Sequence, residues 1–460
     1  MLKRKELSLT EGNIFGSLLS FSLPIILGSL IQQLYIMTDA VIVGQFVGKT
    51  GLAAIDSVHT LFKFPLNFMN GLTAGATILV SGYFGARDRE GLHCSIRTAL
   101  TIAFVLGAVC SVLGFLLTPM FLSWMSVPGD IVNKTAAYTR IYFSGLWAMV
   151  IYNMAAGIIR AFGDSGRPLY VLILCSVLNI IGDCLLVGVL GFGVQGAAAA
   201  TVIAQIVSAV VVLKMLAETE RAGGQVLIWH LHFCREHMSA MLRTGLPLAL
   251  QSVLFPIANT IVQASINSMG TDSIAAWGIC DKLDMLIWLV ADAMGPALTT
   301  YTAQNIGAGR YYRVKRGAII GASMSVGCVA AISLVLYFAS GFFGRWFIDP
   351  NEAAAIVPMS VHYMKLMTPF FVFYALGEAF SGVCCGTGDT TKPMITTLIT
   401  ICLLRVVCIW FILPQFKSME CITWIYIASW IAVGSAFSLM VHLRLKECRT
   451  MVSSEGEKSA

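Results

Sequence analysis

The sequence carries little charge for its length. Only 12% of its 460 residues are Asp, Glu, Lys or Arg, against about 25% in a typical soluble protein, and 57% are hydrophobic. This composition excludes a soluble globular protein and indicates an integral membrane protein. The net charge of +6 comes from residues that flank apolar runs, so it predicts no nucleic-acid partner.

Two features of secreted proteins are also missing. Lys3-Arg4-Lys5 is followed by the polar stretch 6–13 rather than by an apolar core, so we expect no cleaved signal peptide. The thirteen cysteines are scattered through apolar segments without paired spacing. We interpret them as small core residues rather than as a disulfide framework.

What the sequence has instead is long apolar runs. A helix needs roughly 20 such residues to cross a bilayer, and twelve runs of that length can be counted. They lie near 14–44, 52–82, 93–118, 131–160, 168–190, 194–217, 240–268, 273–304, 315–342, 355–385, 394–415 and 421–443. We therefore predict an all-α integral membrane protein with twelve transmembrane helices.

The basic residues are distributed unevenly around these runs. If the N-terminus lies inside, 21 of the 30 Lys and Arg residues fall at cytoplasmic ends, four on the opposite side and five within spans. Loops rich in Lys and Arg stay in the cytoplasm. We predict a multi-pass protein of the plasma (inner) membrane with both termini cytoplasmic.

The two halves of the chain repeat each other. Leu246-Pro247 follows Leu23-Pro24 after 223 residues, and the loop Gly163–Pro168 recurs as Gly388–Pro393 after 225 residues. Each half holds six spans, so both repeats begin on the same side of the membrane. This predicts two pseudo-symmetric six-helix bundles, facing each other across a cleft. The segments are an N-terminal lobe, a cytoplasmic linker, a C-terminal lobe and a cytoplasmic tail, at 1–216, 217–239, 240–446 and 447–460.

The second copy of the repeated loop has two interpretations. Gly386-Thr387-Gly388-Asp389 matches the Gly-x-Gly-Asp motif of intramembrane aspartyl proteases, which would make the chain an enzyme. Its place in a loop favours a turn, in which glycine ends one helix and aspartate and proline begin the next. We predict the turn and no enzymatic activity.

Two polar residues interrupt the apolar run 175–187. Asn179 and Asp183 are four residues apart, so they share one face of a helix. A carboxylate at the centre of a bilayer costs roughly 3 kcal/mol or more. The pair is either a functional site, which we favour, or an asparagine that caps a structural carboxylate between packed helices.

In the order and spacing of its motifs, essentially the whole chain resembles the multidrug and toxic compound extrusion (MATE) family of export antiporters. The motifs that carry the resemblance are Leu23-Pro24, Tyr83-Phe84-Gly85-Ala86, Arg160–Asp164, Gly191–Ala198, Thr302–Gly309 and Gly388-Asp389. The resemblance implies export of small organic compounds, cationic or amphipathic, in exchange for protons or sodium. It implies no cofactor, and we expect a monomer.

The resemblance also implies a cation site in the first lobe. Carried over residue by residue, the site comprises Asp39, Tyr138, Asn153, Asn179, Asp183 and Thr201. At about 1.5 Å per residue, four of them lie about 8–14 Å below the outer ends of four different spans, and Asn153 lies deeper. Their oxygens suit a hard cation, with sodium at Asp39, Asn179 and Asp183, and two carboxylates also suit a proton.

The second lobe does not repeat this site. At the repeat offset of 225, Asn179 and Asp183 correspond to Leu404 and Cys408. Polar residues follow helical spacing on other spans of this lobe, and we predict that they line a substrate cavity: Gln251, Asn259, Gln263, Asp281, Asp284 and Glu378.

Acidic residues mark one face of the eighth predicted span. Asp281, Asp284 and Asp292 follow helical spacing. They form either a cavity wall that attracts cationic substrates or a set of internal salt bridges. The candidate partners of such bridges are Lys63, Lys365 and Arg405.

Two further alternatives stay open. The interval His230–His237 has metal-ligand spacing, although an amphipathic linker on the membrane surface explains it better. The alternative function is a lipid-linked precursor flippase of the same superfamily. A flippase would prefer a cationic central cavity, whereas the clearest charges within the predicted spans are acidic.

Overall fold

The structure is a computed structural model, and it describes residues 9–223 and 233–458. Its regular secondary structure over these ranges is helical, with no strand among the described residues. The chain divides into two compact units. We call Leu23–Ala249 the first lobe, and Leu9–Ser22 together with Leu250–Ala460 the second lobe.

Six long helices supply most of the first lobe. They are α1 (Ile14–Phe46), α2 (Lys49–Ala86), α3 (Arg89–Trp124), α4 (Val132–Ala161), α5 (Gly166–Asp183) and α6 (Gly193–Gly223). Helix α4 packs against α2, α3 and α6, and α5 packs against α6. The buried face of α4 includes Phe143, Leu146, Val150 and Met154, whose spacing of three and four residues is that of one helix face. The core of this lobe therefore forms around α4.

The second lobe is built from the remaining helices. They are α7 (Arg235–Asn267), α8 (Thr271–Gly307), α9 (Tyr311–Gly344), α10 (Ala353–Met367), α11 (Phe371–Gly386), α12 (Thr391–Thr397), α13 (Leu404–Phe411), α14 (Leu413–Phe416) and α15 (Met419–Lys458). The first part of α7, up to Ala249, belongs to the first lobe. Helix α11 packs against α8, α9 and α15, and Tyr301, Phe371 and Trp430 are among the largest fully buried side chains.

Ten of the described helical segments are long and apolar enough to cross a membrane. The long helices α2 and α8, of 38 and 37 residues, are not among these ten. Large apolar side chains are exposed on many of the helices, Val189 at 76% and Phe338 at 78%. Such surfaces suit contact with lipid, and the prediction of an all-α integral membrane protein is confirmed.

The predicted linker 217–239 is only partly described. Helix α6 extends to Gly223 and α7 begins at Arg235, so the histidine-bearing interval His230–His237 is interrupted. His230 and His232 lie outside the described residues, and His237 lies in the first turn of α7. The predicted lobe and linker boundaries stay a prediction.

The first Gly-Asp loop joins α4 to α5. Gly163 has a φ of +84°, a left-handed conformation that glycine adopts without strain. The Asp164 carboxylate accepts hydrogen bonds from the backbone N–H groups of Gly166 at 2.9 Å and Arg167 at 3.1 Å. It also pairs with the Arg167 guanidinium at 3.2 Å. The loop is a capped helix start, as the turn interpretation predicts.

The second Gly-Asp loop joins α11 to α12 in the same way. Gly388 has a φ of +89°, and Asp389 accepts a hydrogen bond from the N–H of Lys392 at 3.3 Å. Its carboxylate also pairs with the side chains of Lys392 and Arg444. These contacts explain why Asp389 follows a glycine, and they confirm the turn rather than a protease motif.

Replacing Asp164 with alanine should destabilise the first lobe modestly. The change removes the acceptor for two N–H groups at the start of α5, and loss of such a cap costs about 1 kcal/mol. Thermal unfolding in detergent measures the effect. Asp164→Asn is the matched control, because an asparagine caps a helix about as well while losing the ion pair. Equal destabilisation by both variants would show that the ion pair, and not the cap, carries the effect.

Two helices widen into a π-helical turn. Helix α5 continues beyond Asp183 as the π turn Cys184–Val189, and the π turn Leu398–Leu403 joins α12 to α13. A π turn closes hydrogen bonds between residues five apart instead of four. Each such turn therefore takes up about one extra residue and rotates the next stretch of helix, compared with a regular α-helix.

Candidate functional site

The first lobe encloses a cavity of about 370 Å³ between α1, α2, α4, α5 and α6. Four of the six residues predicted for the cation site line it: Asp39, Tyr138, Asn153 and Thr201. Asn179 and Asp183 are 1% and 0% exposed and lie in the wall beyond the lining. The predicted residues thus surround one space, with the two most buried members outside the cavity surface.

The carboxyl groups of Asp39 and Asp183 lie close together. They come from α1 and from the end of α5, and the two side chains are close enough to interact directly. Oδ1 of each carboxyl is buried and has no hydrogen-bond partner among the described residues. A buried polar atom without a partner is costly, so a proton or a hard cation would complete this site.

Asn179 connects Asp183 to α6. Its Nδ2 donates to Asp183 Oδ2 at 2.8 Å, and its amide oxygen accepts from the Thr201 backbone N–H at 3.1 Å and lies 3.2 Å from the Thr201 hydroxyl.

Aromatic side chains form part of the wall around the carboxyl pair. The rings of Tyr138 and Tyr142 stack with centroids 6.1 Å apart, and the Tyr142 ring lies 4.1 Å from that of Phe62. On α1, the Tyr35 side chain lies close to Thr201. Aromatic rings exclude water, which strengthens electrostatic interactions at the neighbouring carboxyl groups.

Sequence reasoning missed three residues of this site. Tyr35, Tyr142 and Gln205 all line the cavity, and Gln205 Oε1 is buried without a partner among the described residues. Each lies four residues from a predicted member, so each shares its helix face. That spacing was the available signal.

Asn153 belongs to the cavity but not to the carboxyl cluster. It lies on α4, fifteen residues after Tyr138, or about 22 Å along the helix. The same region of the lining includes Arg160 and Ser165. The cavity therefore extends from the carboxyl pair toward the end of α4.

Comparison with known proteins identifies the family of this chain. A sequence profile of the MatE family matches residues 24–185 and 247–411, which is more than half of the chain and falls in both lobes. The chain belongs to the MATE family. The resemblance drawn from its motifs is thereby confirmed, and the protein is a membrane transporter rather than an enzyme.

Individual relatives of this MATE transporter are distant but match along most of their length. The probable multidrug resistance protein YoeA of Bacillus subtilis is 25% identical over 94% of this chain and 93% of its own. The multidrug export protein MepA of Staphylococcus haemolyticus is 23% identical over 82% of this chain and 83% of its own.

The fold of a solved MATE structure is shared over almost the entire chain. A crystal structure of a MATE protein in a bent conformation superposes with a TM-score of 0.90, at 21% identity, over 98% of this chain and 100% of the other. The prediction of twelve transmembrane helices in two bundles is confirmed by this likeness.

The transporter's second lobe holds a different arrangement of acids. Tyr374 donates a hydrogen bond to Asp292 at 2.9 Å, and the Glu378 carboxyl interacts electrostatically with Asp292. The ring of Trp288 packs on that of Tyr374 with centroids 4.4 Å apart. Of the predicted cavity residues, Glu378 therefore belongs to a carboxyl pair that joins α8 and α11.

The other predicted acids of α8 lie beside indoles of their own helix. Asp281 is close to Trp277, and Asp284, which is 6% exposed, is close to Trp288. Among the described residues, none of these acids forms a salt bridge.

The predicted polar residues of α7 divide between three environments. Asn259 accepts a hydrogen bond from the Arg405 guanidinium at 3.2 Å. Gln263 is exposed and donates to Asn267 at 3.0 Å. Gln251 Oε1 is buried, with no partner among the described residues. That they line one substrate cavity stays a prediction.

Arg405 is a buried cation of the second lobe. It is 1% exposed, it donates to Ser429 at 2.9 Å, and its guanidinium lies 4.1 Å from the ring centroid of Tyr426. A neutral amide, a hydroxyl and an aromatic face hold this charge, in place of the acidic partner that was one of the predicted alternatives.

Proposed function

We propose that this MATE transporter is a secondary active multidrug efflux antiporter. It exports small organic compounds, cationic or amphipathic, in exchange for protons or sodium ions. Two relatives, YoeA and MepA, carry the names of a multidrug resistance protein and a multidrug export protein. The first-lobe cavity and its carboxyl pair supply a place where a coupling ion can act.

The observation that carries the proposal is the position of Asp39. Its carboxyl lines the cavity and also contacts that of Asp183, which has no exposure of its own. An ion arriving through the cavity therefore reaches the buried pair by way of Asp39. Since two charged carboxylates in contact repel each other, occupancy by a proton or cation changes the stability of this packing.

Asn179 links the charge of Asp183 to α6. Its amide nitrogen donates to the Asp183 carboxyl, and its amide oxygen accepts from Thr201. Protonation of Asp183 weakens the hydrogen bond that its carboxyl accepts from the amide. The change of charge is thus passed to α6 through one side chain, and alternating access follows if the charged and neutral states favour different packings of the first lobe.

Sodium would use the same oxygens. Both carboxyl groups, the Asn179 amide oxygen and the Thr201 hydroxyl are hard donors of the kind that sodium prefers. To bind sodium, the Asn179 amide would turn its oxygen toward Asp183. A proton and a sodium ion would both act at the carboxyl pair, so they compete for one site.

Uptake into proteoliposomes tests the function and identifies the ion. A pH gradient and a sodium gradient are imposed independently, and the movement of a labelled organic cation is followed. We expect accumulation with one gradient and none without either. Transport that needs no gradient, or no transport of organic cations under any gradient, would contradict the proposal.

Substrate charge selectivity is expected to depend on the acids of the second lobe. Glu378→Gln, or Asp284→Asn, removes a negative charge next to Asp292 or Asp281 and should reduce export of cationic compounds several-fold more than export of neutral ones. Initial export rates of one cationic and one neutral substrate measure the difference. Asp272→Asn is the control, because Asp272 is an exposed acid in the first turn of α8. Equal losses for both substrate classes would indicate a structural role.

A lipid-linked precursor flippase is the second candidate, and one observation favours it. The first-lobe cavity is lined by the basic residues Lys63 and Arg160 as well as by Asp39 and Asp56. Basic groups in a cavity suit a phosphorylated lipid. Movement of a labelled polyprenyl phosphate across the vesicle bilayer, in the absence of organic-cation transport, would select this function.

We propose further that the transporter lies in the plasma membrane as a monomer, with both termini cytoplasmic. The excess of Lys and Arg at one set of helix ends supports this orientation. Protease accessibility of tags at the two termini in intact and broken cells tests it, and protection of the tags in broken cells would contradict it.

A further inference from the structure

Outside the cavity, the structure brings together two cysteines and a histidine of the first lobe. Cys94 lies near the start of α3, Cys234 immediately precedes α7, and His237 lies in the first turn of α7. The two sulfur atoms and a ring nitrogen all lie within 4.8 Å of one another. Residues 140 positions apart thus meet at one point.

The structure links Cys94 and Cys234 as a disulfide. The expectation that all cysteines are small core residues is therefore wrong for these two, while ten others among the described residues are free. Sequence spacing could not reveal the pair because its members lie in different segments, and tertiary contact alone joins them. With the disulfide reduced, the same contact places two thiols beside an imidazole.

The ring of His237 is held in place, but one of its nitrogen atoms has no hydrogen-bond partner among the described residues. Its ring packs on that of Tyr83 with centroids 5.3 Å apart, and Nε2 is buried without a hydrogen-bond partner among the described residues. The backbone N–H of Cys234 donates to Thr98 Oγ1 at 3.3 Å, which fixes the adjacent thiol against α3. A buried ring nitrogen without a partner is costly unless a ligand supplies one.

We propose that this site binds one zinc-like divalent cation once the disulfide is reduced. The ligands are the thiolates of Cys94 and Cys234 and the imidazole of His237. Thiolate and imidazole are the ligands that zinc prefers, with Zn–S distances of about 2.3 Å and Zn–N distances of about 2.0 Å. Two sulfurs on a tetrahedral ion are then about 3.8 Å apart, which is within the spread of the three ligand atoms. A water molecule takes the fourth position.

The disulfide is converted into the metal site in two steps, reduction and metal binding. A thiol or phosphine reductant supplies two electrons, and with two protons the disulfide becomes two thiols. The cation then displaces those two thiol protons and forms two metal–sulfur bonds and one metal–nitrogen bond, without further electron transfer. Disulfide and bound metal are therefore mutually exclusive states of one site, and each ties the start of α3 to the start of α7.

Metal titration of the full-length protein in detergent tests the proposal. The protein is reduced with a phosphine, its free thiols are counted, and Zn²⁺ is titrated with bound metal measured after gel filtration. We expect one equivalent per chain that is absent from the double variant Cys94→Ser, Cys234→Ser. Cobalt in place of zinc should give a sulfur-to-metal charge-transfer band, which reports the thiolate ligands directly.

Two single variants make the test specific. His237→Gln should weaken zinc binding at least about tenfold, as loss of an ordered ligand does, and should remove the zinc-dependent rise in Tm. Cys328→Ser removes an exposed free cysteine of α9. It should change neither the affinity for zinc nor the zinc-dependent rise in Tm. Absence of the saturable equivalent from the reduced wild type, or its survival in the double variant, would overturn the proposal. These measurements do not depend on transport.

Discussion

Asp39→Asn and Asp183→Asn should each leave substrate binding largely intact and abolish gradient-driven export. Either change removes one carboxyl group from the contact between α1 and α5, so the remaining carboxyl titrates alone and the ion site shared by the pair is lost. The driving force is about 1.4 kcal/mol per proton per pH unit, plus about 2.3 kcal/mol per charge per 100 mV. An amide cannot use this energy, because its charge does not change.

The measurement compares binding with transport for the same variants. Substrate affinity is determined in detergent, and accumulation against a gradient is determined in proteoliposomes. Asp56→Asn serves as the control, since Asp56 is an exposed acid that lines the same cavity on α2. Normal accumulation by either Asp39→Asn or Asp183→Asn would show that coupling occurs elsewhere.

Of the variants proposed here, Gly382→Val should destabilise the folded protein most. Gly382 on α11 lies against the backbone of Gly295 on α8, so an added Cβ would overlap the Gly295 carbonyl. Backbone cannot move aside as a flexible side chain can, and close helix contacts in membranes depend on such small residues. Overpacking costs about 1–3 kcal/mol and occasionally more, and we expect the upper end of that range or beyond.

Thermal unfolding and the yield of monodisperse protein report this loss. The matched control is Gly327→Val on α9, because the space around Gly327 is open to at least 4 Å. Both variants introduce the same side chain into a helix, so the difference between them isolates the contact of α8 with α11. Similar stability of the two would mean that the lobe can repack around residue 382.

The family resemblance supplied the members of the cation site, and the depths estimated from the sequence supported most of them. Apolar runs fix where each helix leaves the membrane, and the rise per residue then places Asp39, Tyr138, Asp183 and Thr201 near one level. The structure brings these residues together around one contact. Asn153, which the same reasoning placed deeper, lies farther along the cavity.

The depth of a residue in the membrane does not determine which side chains it contacts. The missed residues Tyr35 and Gln205 share helix faces with predicted ones, but nothing in a single sequence separates a lining face from a packed one. The acids of α8 were assigned possible basic partners, whereas Asp292 accepts a hydrogen bond from Tyr374, and the other two acids lie beside Trp277 and Trp288. Rotation of each helix about its own axis decides these contacts, and that rotation is set by tertiary packing.

The π turn Leu398–Leu403 changes which residues of the two lobes are equivalent. It adds about one residue ahead of α13, so the offset of 225 that relates the Gly-Asp loops becomes 226 beyond it. The counterpart of Asn179 is then Arg405, not Leu404, and that of Asp183 is Ile409. Burial agrees, since Arg405 and Ile409 are 1% and 6% exposed.

The second lobe thus has a permanent positive charge at the position where the first lobe has Asn179, next to the carboxyl pair. A guanidinium remains charged at every physiological pH. If the carboxyl pair of the first lobe is the coupling site, this guanidinium takes the place that an exchangeable cation would have in the second lobe. One ion-binding step per transport cycle, rather than two, is the stoichiometry that this asymmetry predicts.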